Sequence, residues 1–340
     1  MNKIRYCLLA GILLIAAASP APAQEVVVLS GPEETIDWFN AQNFWGEEKH
    51  NEQLAVPRAL IVAISERWQT TAQKLTVPVK KELFYRFMLP LVVHANTMVL
   101  DRRERLQRMQ ATIVKGDPLA DRDKTWLCEI AVLLRIASRE DVSAPLDPTA
   151  LGKIIDQALY KLDVIPAGLA LGQAAYESGY GTSRFAAEGN ALFGQWTFGG
   201  EGLTPAQQRK ALGDHRIARF EWPFDSVRGY FINLSAHPAY ADFRRIRAEH
   251  RARGERLRSL TAADGLKNYS ERGQAYVDTL KGIIRKNNLQ IADDAVFRDE
   301  PMRFVLGVPD PAAAEKMRAD IETMRQSGEL EAIIARMRLE

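Results

Sequence analysis

The sequence predicts a mainly α protein: a helical domain carrying a small β lobe, preceded by a helical module. Three observations carry that prediction. Apolar residues recur at 3- and 4-residue steps over most of the chain, as in Leu83, Phe84, Phe87, Met88, Leu91, Val92 and Ala95. Between Asn190 and Pro223 the pattern changes to aromatics flanking a Gly-, Gln- and Arg-rich stretch. Helical spacing then returns from Phe224 onward.

Residues 1–23 read as a secretory signal. Lys3 and Arg5 make a basic start, Cys7 to Ala18 an apolar run too short to span a bilayer, and Ala21-Pro-Ala23 a small-x-small cleavage site before Gln24. No later apolar stretch is read as a membrane span. Residues 24–145 are expected to form a helical module. Its first part, 25–55, is rich in Asn, Glu and Gly and reads as an irregular lead-in. From Val56 to about Ser138 the chain is expected to be helical, with Ala59, Leu60, Val62, Ala63 and Ile64 opening one amphipathic pattern. Pro90 should kink or break the helix that holds it. Gly116-Asp-Pro118 ends that segment, and Asp121 starts another near Lys124 to Ile136.

Asp141 to Thr149 carries the linker signal. The domain that follows, 146–290, is expected to hold helices over Leu151 to Leu162 and Pro166 to Tyr176, with Pro166 suited to a first helical turn. Short strands at Leu192 to Thr197 and Ile217 to Glu221 would make the hairpin-like lobe. Helices over Phe224 to Leu234, Pro238 to Arg251 and Ala275 to Lys286 complete it. Residues 291–340 read as an appendage: Val296 to Pro311 extended, then helices over Ala312 to Arg325 and Glu329 to Arg338.

Composition narrows the function. The formal net charge is +2, and losing Lys3 and Arg5 brings it to about zero, which argues against a nucleic-acid partner. Cys128 alone remains after the signal, so no internal disulfide is possible, and its place on an apolar helix face reads as a buried structural thiol. The histidines at 50, 94, 215, 237 and 250 show no metal-ligand spacing, and no metal or cofactor is expected. Ser178 lacks the Gly-x-Ser-x-Gly elbow of a serine nucleophile.

The most telling stretch is Ala170 to Arg184. It places Glu177 at the end of an apolar helix, just before Gly179 and Gly181. Burial there disfavours the carboxylate and raises the pKa, which suits a general acid for glycoside hydrolysis. A second polar group should come from the lobe, where Glu201, in Gly199-Gly-Glu-Gly202, is preferred over Asp214. Sugar C–H faces pack on aromatic rings and hydroxyls bond to amides. Tyr180, Phe193, Trp196, Tyr269 and Tyr276 offer the rings, Asn190 and Gln195 the amides.

Ala175-Tyr-Glu-Ser-Gly-Tyr-Gly181, Asn190-Ala-Leu-Phe-Gly194, Tyr230 to Tyr240, and Asn268-Tyr-Ser to Tyr276-Val-Asp-Thr-Leu280 occur in that order. Together they resemble the glucosaminidase domain of glycoside hydrolase family 73, over roughly Asp147 to Leu289. The Leu83 to Ile136 block is similar to the front half of bacterial Bax-type proteins. The resemblance implies a lysozyme-like helical domain with a small β lobe. It also implies endo-β-N-acetylglucosaminidase action on peptidoglycan glycan strands, with Glu177 as general acid and Tyr269 as the cleft tyrosine. The family's second acid lies in the β lobe, where this chain has Gln207 and Gln208. Glu201, Asp214 or the substrate's own acetamido group would then take that role. A non-catalytic wall-binding or scaffold protein and a lytic transglycosylase are the alternative readings. Protein partners are not indicated.

Overall fold

The computed structural model describes residues 25–44, 49–50, 53–62, 66–197, 202–204 and 216–338. The expected signal lies outside these residues, as do Glu201, Gln207, Gln208 and Asp214. The described chain opens with β1 (Glu25–Ser30) and α1 (Gly31–Ala41), followed by β2 (Lys49–His50), β3 (Gln53–Val56) and β4 (Ala59–Ile61). Helices α2 (Glu66–Lys74), α3 (Val77–Val114) and α4 (Asp121–Leu133) come next. Then follow α5 (Pro148–Lys161), α6 (Ala167–Ser178), α7 (Arg184–Gly189), β5 (Trp196–Thr197), β6 (Gly202–Leu203) and β7 (Arg216–Ala218). The chain continues through α8 (Pro223–Ala236), α9 (Ala241–Ala252), α10 (Ser259–Ala262) and α11 (Gln274–Lys286). It ends with β8 (Val296–Phe297), β9 (Arg303–Val308), α12 (Pro311–Ser327) and α13 (Glu329–Arg338). The architecture is mainly α, lysozyme-like, with the small lobe formed by β7 pairing antiparallel to both β5 and β6.

The two ends of the chain build one sheet. Strand β9 lies between β1 and β4, parallel to both, with Val28 opposite Leu306 and Leu60 opposite Phe304. This corrects two expectations. Residues 25–55 are not an irregular lead-in, because Glu25–Ser30 and Gly31–Ala41 are a strand and a helix. Ala59, Leu60 and Ile61 form a strand instead of opening a helix. A short apolar run fits either state locally, and the pairing partner arrives more than 240 residues later.

Helix α3 also differs from expectation. It runs unbroken through Pro90, which is buried in its interior. One missing N–H costs one helical hydrogen bond, and the buried face from Leu83 to Ala95 offsets it. By length and composition α3 could cross a membrane, contrary to the expectation that no such stretch follows the signal. Most of its apolar window is instead buried inside the protein, where it contacts α5, α6 and α8.

Helix α6 is the centre of the second half. Residues 167–175 are all buried. Ala and Gly dominate the helix, so its neighbours come close: a Cβ on Gly168 would stand 2.4 Å from the Leu289 carbonyl oxygen. Asp293 accepts from the Gly168 N–H at 3.0 Å, satisfying one of the orphan donors at the helix start. The 263–266 turn packs on α9 in the same way. A Cβ on Gly265 would lie 2.4 Å from Phe243 Cα and 2.7 Å from Phe243 N. Those are main-chain atoms of a helix and cannot swing aside. Gly265→Ala should therefore destabilise the protein by about 1–3 kcal/mol, read as a lower midpoint in urea unfolding at unchanged secondary structure. An unchanged midpoint would refute this packing.

Cys128 is half-buried, not enclosed as the apolar helix pattern suggested. Its neighbours Leu127 and Ile130 take the core-facing positions of α4.

Candidate active site

Glu177 sits in the last turn of α6. The helix stops there because Gly179, Tyr180 and Gly181 all take positive φ, at 58°, 60° and 75°. Glycine adopts that region without steric cost, whereas Tyr180 needs support. The support is specific. The Trp68 indole donates to the Tyr180 carbonyl at 2.9 Å, and the Tyr180 ring packs edge-on against Phe84 and Tyr85. The Lys81 ammonium lies 5.3 Å from the same ring's centroid. Inside the turn, Ser178 Oγ donates to the Ala174 carbonyl at 2.6 Å and accepts from the Gly181 N–H at 2.8 Å. Ser178 is thus a buried structural hydroxyl that ties the helix end to its turn.

The Glu177 carboxyl meets a nest of tyrosines. Tyr276 of α11 donates its hydroxyl to Glu177 Oε1 at 2.9 Å. The Tyr269 ring stacks on Tyr276 at 5.6 Å between centroids, Tyr240 lies 5.6 Å beyond it, and Tyr176 meets Tyr276 edge-on. The other carboxyl oxygen, Oε2, faces Gly194 of the lobe, where a Cβ would lie 3.5 Å away. Burial raises the Glu177 pKa above the ordinary glutamate value, and the Tyr276 hydrogen bond partly opposes this. Burial pushes the phenols of Tyr230, Tyr269 and Tyr276 well above their usual range, so they stay neutral where Glu177 titrates.

The other sequence-predicted residues divide. Tyr269 adjoins Glu177, but its hydroxyl donates to the Phe193 carbonyl at 3.0 Å. Tyr276 is buried and holds the carboxyl, so it is not an open sugar platform. Phe193 is buried too, its ring stacked on Tyr230 at 4.1 Å, and it reaches the site through its carbonyl. Gln195 Nε2 donates to the Ser226 carbonyl at 2.7 Å, and its Oε1 accepts from Ser226 Oγ at 3.1 Å. Asn190 Nδ2 donates to the Phe220 and Glu221 carbonyls, each at 3.1 Å. Both amides were expected to face sugar hydroxyls; here they fasten the lobe. Tyr180 serves the turn after Glu177. Trp196 pairs with Ile217 through β5 and β7, its side chain lying outside the described part of the structure, as does Glu201 altogether.

Sequence reasoning passed over Gln173, Tyr230 and Tyr240. Gln173 had a readable signal: it lies four residues before Glu177 on an apolar helix, and so on the same face. It is fully buried, and a buried amide demands partners. The two tyrosines gave none beyond their place in the Tyr230 to Tyr240 motif.

Residues 152–289 match the Glucosaminidase family, described as mannosyl-glycoprotein endo-beta-N-acetylglucosaminidase. The chain is 33% identical over 134 residues to Protein bax of Escherichia coli (strain K12), an alignment covering 39% of this chain and 47% of that protein. The alignment thus spans about half the length of that curated relative. No solved structure matches. The matched span runs from α5 to the end of the turn after α11 and encloses Glu177, Tyr269 and Tyr276. Residues 152–289 therefore form a domain of the glucosaminidase family.

Proposed function

We propose that the protein is a peptidoglycan hydrolase, an endo-β-N-acetylglucosaminidase that works in the periplasm with Glu177 as general acid. One observation carries the reading: within a glucosaminidase-family domain, a half-buried glutamic acid ends the central helix, and burial favours its protonated form. The protonated carboxyl gives its proton to the glycosidic oxygen as the bond to the anomeric carbon breaks. Positive charge develops on the sugar ring. Tyr269, its hydrogen given to Phe193, keeps oxygen lone pairs for that charge. The attacking group is a water directed from the β lobe, or the substrate's own acetamido oxygen, with water then hydrolysing the ring so formed. Glu201 remains the first lobe candidate. The basic start and apolar run of the expected signal support export to the wall.

Mass spectrometry of a peptidoglycan digest tests this. Fragments with reducing N-acetylglucosamine ends are expected. Anhydro-muropeptides would make the protein a lytic transglycosylase. Binding to insoluble wall without soluble fragments would make it a scaffold protein.

A further inference from the structure

A buried hydrogen-bond relay runs behind Glu177, and its ordering rests on Gln173. Tyr230 of α8 donates its hydroxyl to Gln173 Oε1 at 2.6 Å. Gln173 Nε2 donates to the Tyr276 hydroxyl oxygen at 3.0 Å, and Tyr276 donates to Glu177 Oε1 at 2.9 Å. Gln173, Tyr230 and Tyr276 are each at most 1% exposed, so water cannot stand in for a missing partner.

An amide has one donor end and one acceptor end. Tyr230 occupies the acceptor end, which turns the NH2 group toward Tyr276. The Tyr276 oxygen then accepts from Gln173, and its single hydrogen has only Glu177 to serve. With the amide turned over, Oε1 would demand the Tyr276 hydrogen. Tyr276 could then only accept from Glu177, which would tie up the acidic proton in a buried bond. We propose that Gln173 is a positioning residue: it commits the Tyr276 hydrogen to Oε1 of Glu177 and so keeps the transferable proton on Oε2, the oxygen facing the β lobe. This rests on the general-acid reading of Glu177.

Among the described residues, the groups about Glu177 are few. Tyr276 comes from α11, Tyr269 from the segment before it, Tyr230 from α8 and Tyr240 from the 238–240 turn. From α3, Tyr85 and Lys81 stand at Tyr180, one turn beyond the carboxyl. Arg272 donates to the Tyr176 hydroxyl at the outer edge of the tyrosine nest. Asp293, beside the turn that packs on α6, is bound at that helix's far end by the Gly168 and Ser259 N–H groups. The hydrogen bond to Oε1 comes from Tyr276, and that bond favours the carboxylate. Weakening it therefore raises the Glu177 pKa.

The test is a titration of Glu177 by carboxyl 13C NMR in full-length wild type, Gln173→Leu and Tyr230→Phe, with the pH profile of muropeptide release measured beside it. Tyr230→Phe, which frees the amide to turn over and take the Tyr276 hydrogen, should titrate at higher pH than wild type by about half a unit to one unit. Gln173→Leu, which removes only the donor that polarises the Tyr276 hydroxyl, should shift the same way by less. The alkaline limb of the activity profile should move with them, because the acid must be protonated to act. The Tyr230 hydroxyl bonds to Gln173 and to neither Glu177 nor Tyr276, and Tyr230→Phe removes only that hydroxyl, so this variant decides the matter if Gln173→Leu does not fold. An unshifted Glu177 in the folded variants would overturn the relay. The titration needs no turnover, so absence of muropeptide release by wild type would sink the hydrolase reading while the relay stood or fell on its own.

Discussion

Glu177→Gln is expected to lower release of soluble muropeptides by about 10²- to 10⁴-fold, the usual worth of a positioned proton donor. Glutamine can still accept the Tyr276 hydrogen at Oε1, so the helix end and the tyrosine nest should stay in place. What it cannot do is give up an acidic proton. Equal release by the variant and wild type would remove Glu177 from the mechanism. A stability measurement separates lost chemistry from lost structure, and its sign follows from the raised pKa of Glu177. Below the ordinary glutamate value of 4.5 the carboxyl is protonated folded and unfolded alike, and the two proteins should differ least. As pH rises through the folded pKa, wild type must hold a desolvated charge, which costs it stability. The variant carries no such charge. Its melting temperature should exceed that of wild type at pH 8, with the gap closing toward pH 4. A variant that melts lower at pH 8 would mean that contacts beyond the Tyr276 hydrogen bond stabilise the carboxylate.

Asp163→Ala should destabilise the protein by about 3–5 kcal/mol, measured by urea unfolding. Asp163 lies in the short connection between α5 and α6 and is buried. Arg251 grips its carboxylate with two hydrogen bonds, and Arg103 Nη1 lies 3.7 Å away. Arg247 donates to the Asp163 carbonyl at 2.9 Å and to that of Lys161 at 2.5 Å. Arg103 reaches the Leu159 and Leu162 carbonyls at 2.5 Å each. These guanidiniums close the carbonyl end of α5, where positive charge is favoured. Burial pushes Arg247 down to about 10, and Asp163 opposes that shift. Removing Asp163 leaves Arg103 and Arg247, both buried, without their counter-charge. Asp163→Asn should cost less, because it keeps an acceptor oxygen. Equal stability of wild type and Asp163→Ala would mean that the carbonyls alone hold the arginines.

The basic run Phe243-Arg-Arg-Ile-Arg247 shows why such a cluster is hard to read from sequence. Basic residues at helical spacing ordinarily mark a solvated face, yet Arg244 and Arg247 are buried and bond to main-chain carbonyls. Their acceptors lie in α8 and at the end of α5, and nothing local announces them.

Helices α4, α5, α6, α8 and α11 were legible because each carries an apolar stripe with its own start or stop signals: Asp147 accepting from the Ala150 N–H ahead of α5, Gly179 closing α6. The lobe was legible only in part: β5 and β7 overlap the two expected strands and are shorter than the aromatic pattern suggested, while β6 adds a third strand that makes the lobe a three-stranded sheet and not a hairpin. Glu177 was legible as an acid in an apolar helix end, since burial there follows from its neighbours in sequence. The β1–β9–β4 sheet was not, because its register depends on strands from opposite ends of the chain. Nor was the order of the carboxyl's partners. Phe193, Asn190 and Gln195 look in sequence like sugar contacts, and the structure uses them as main-chain and lobe fastenings.

The sequence by itself determined the helical class, the place of Glu177 at an apolar helix end and each of the motifs that resemble a glucosaminidase domain, because each of these depends on residues within a few helical turns of one another. Only the tertiary structure decided what Glu177 faces. Tyr276, Tyr230 and Gln173 come from three helices. The direction of a hydrogen bond among them is set by donors and acceptors that meet only when those helices pack.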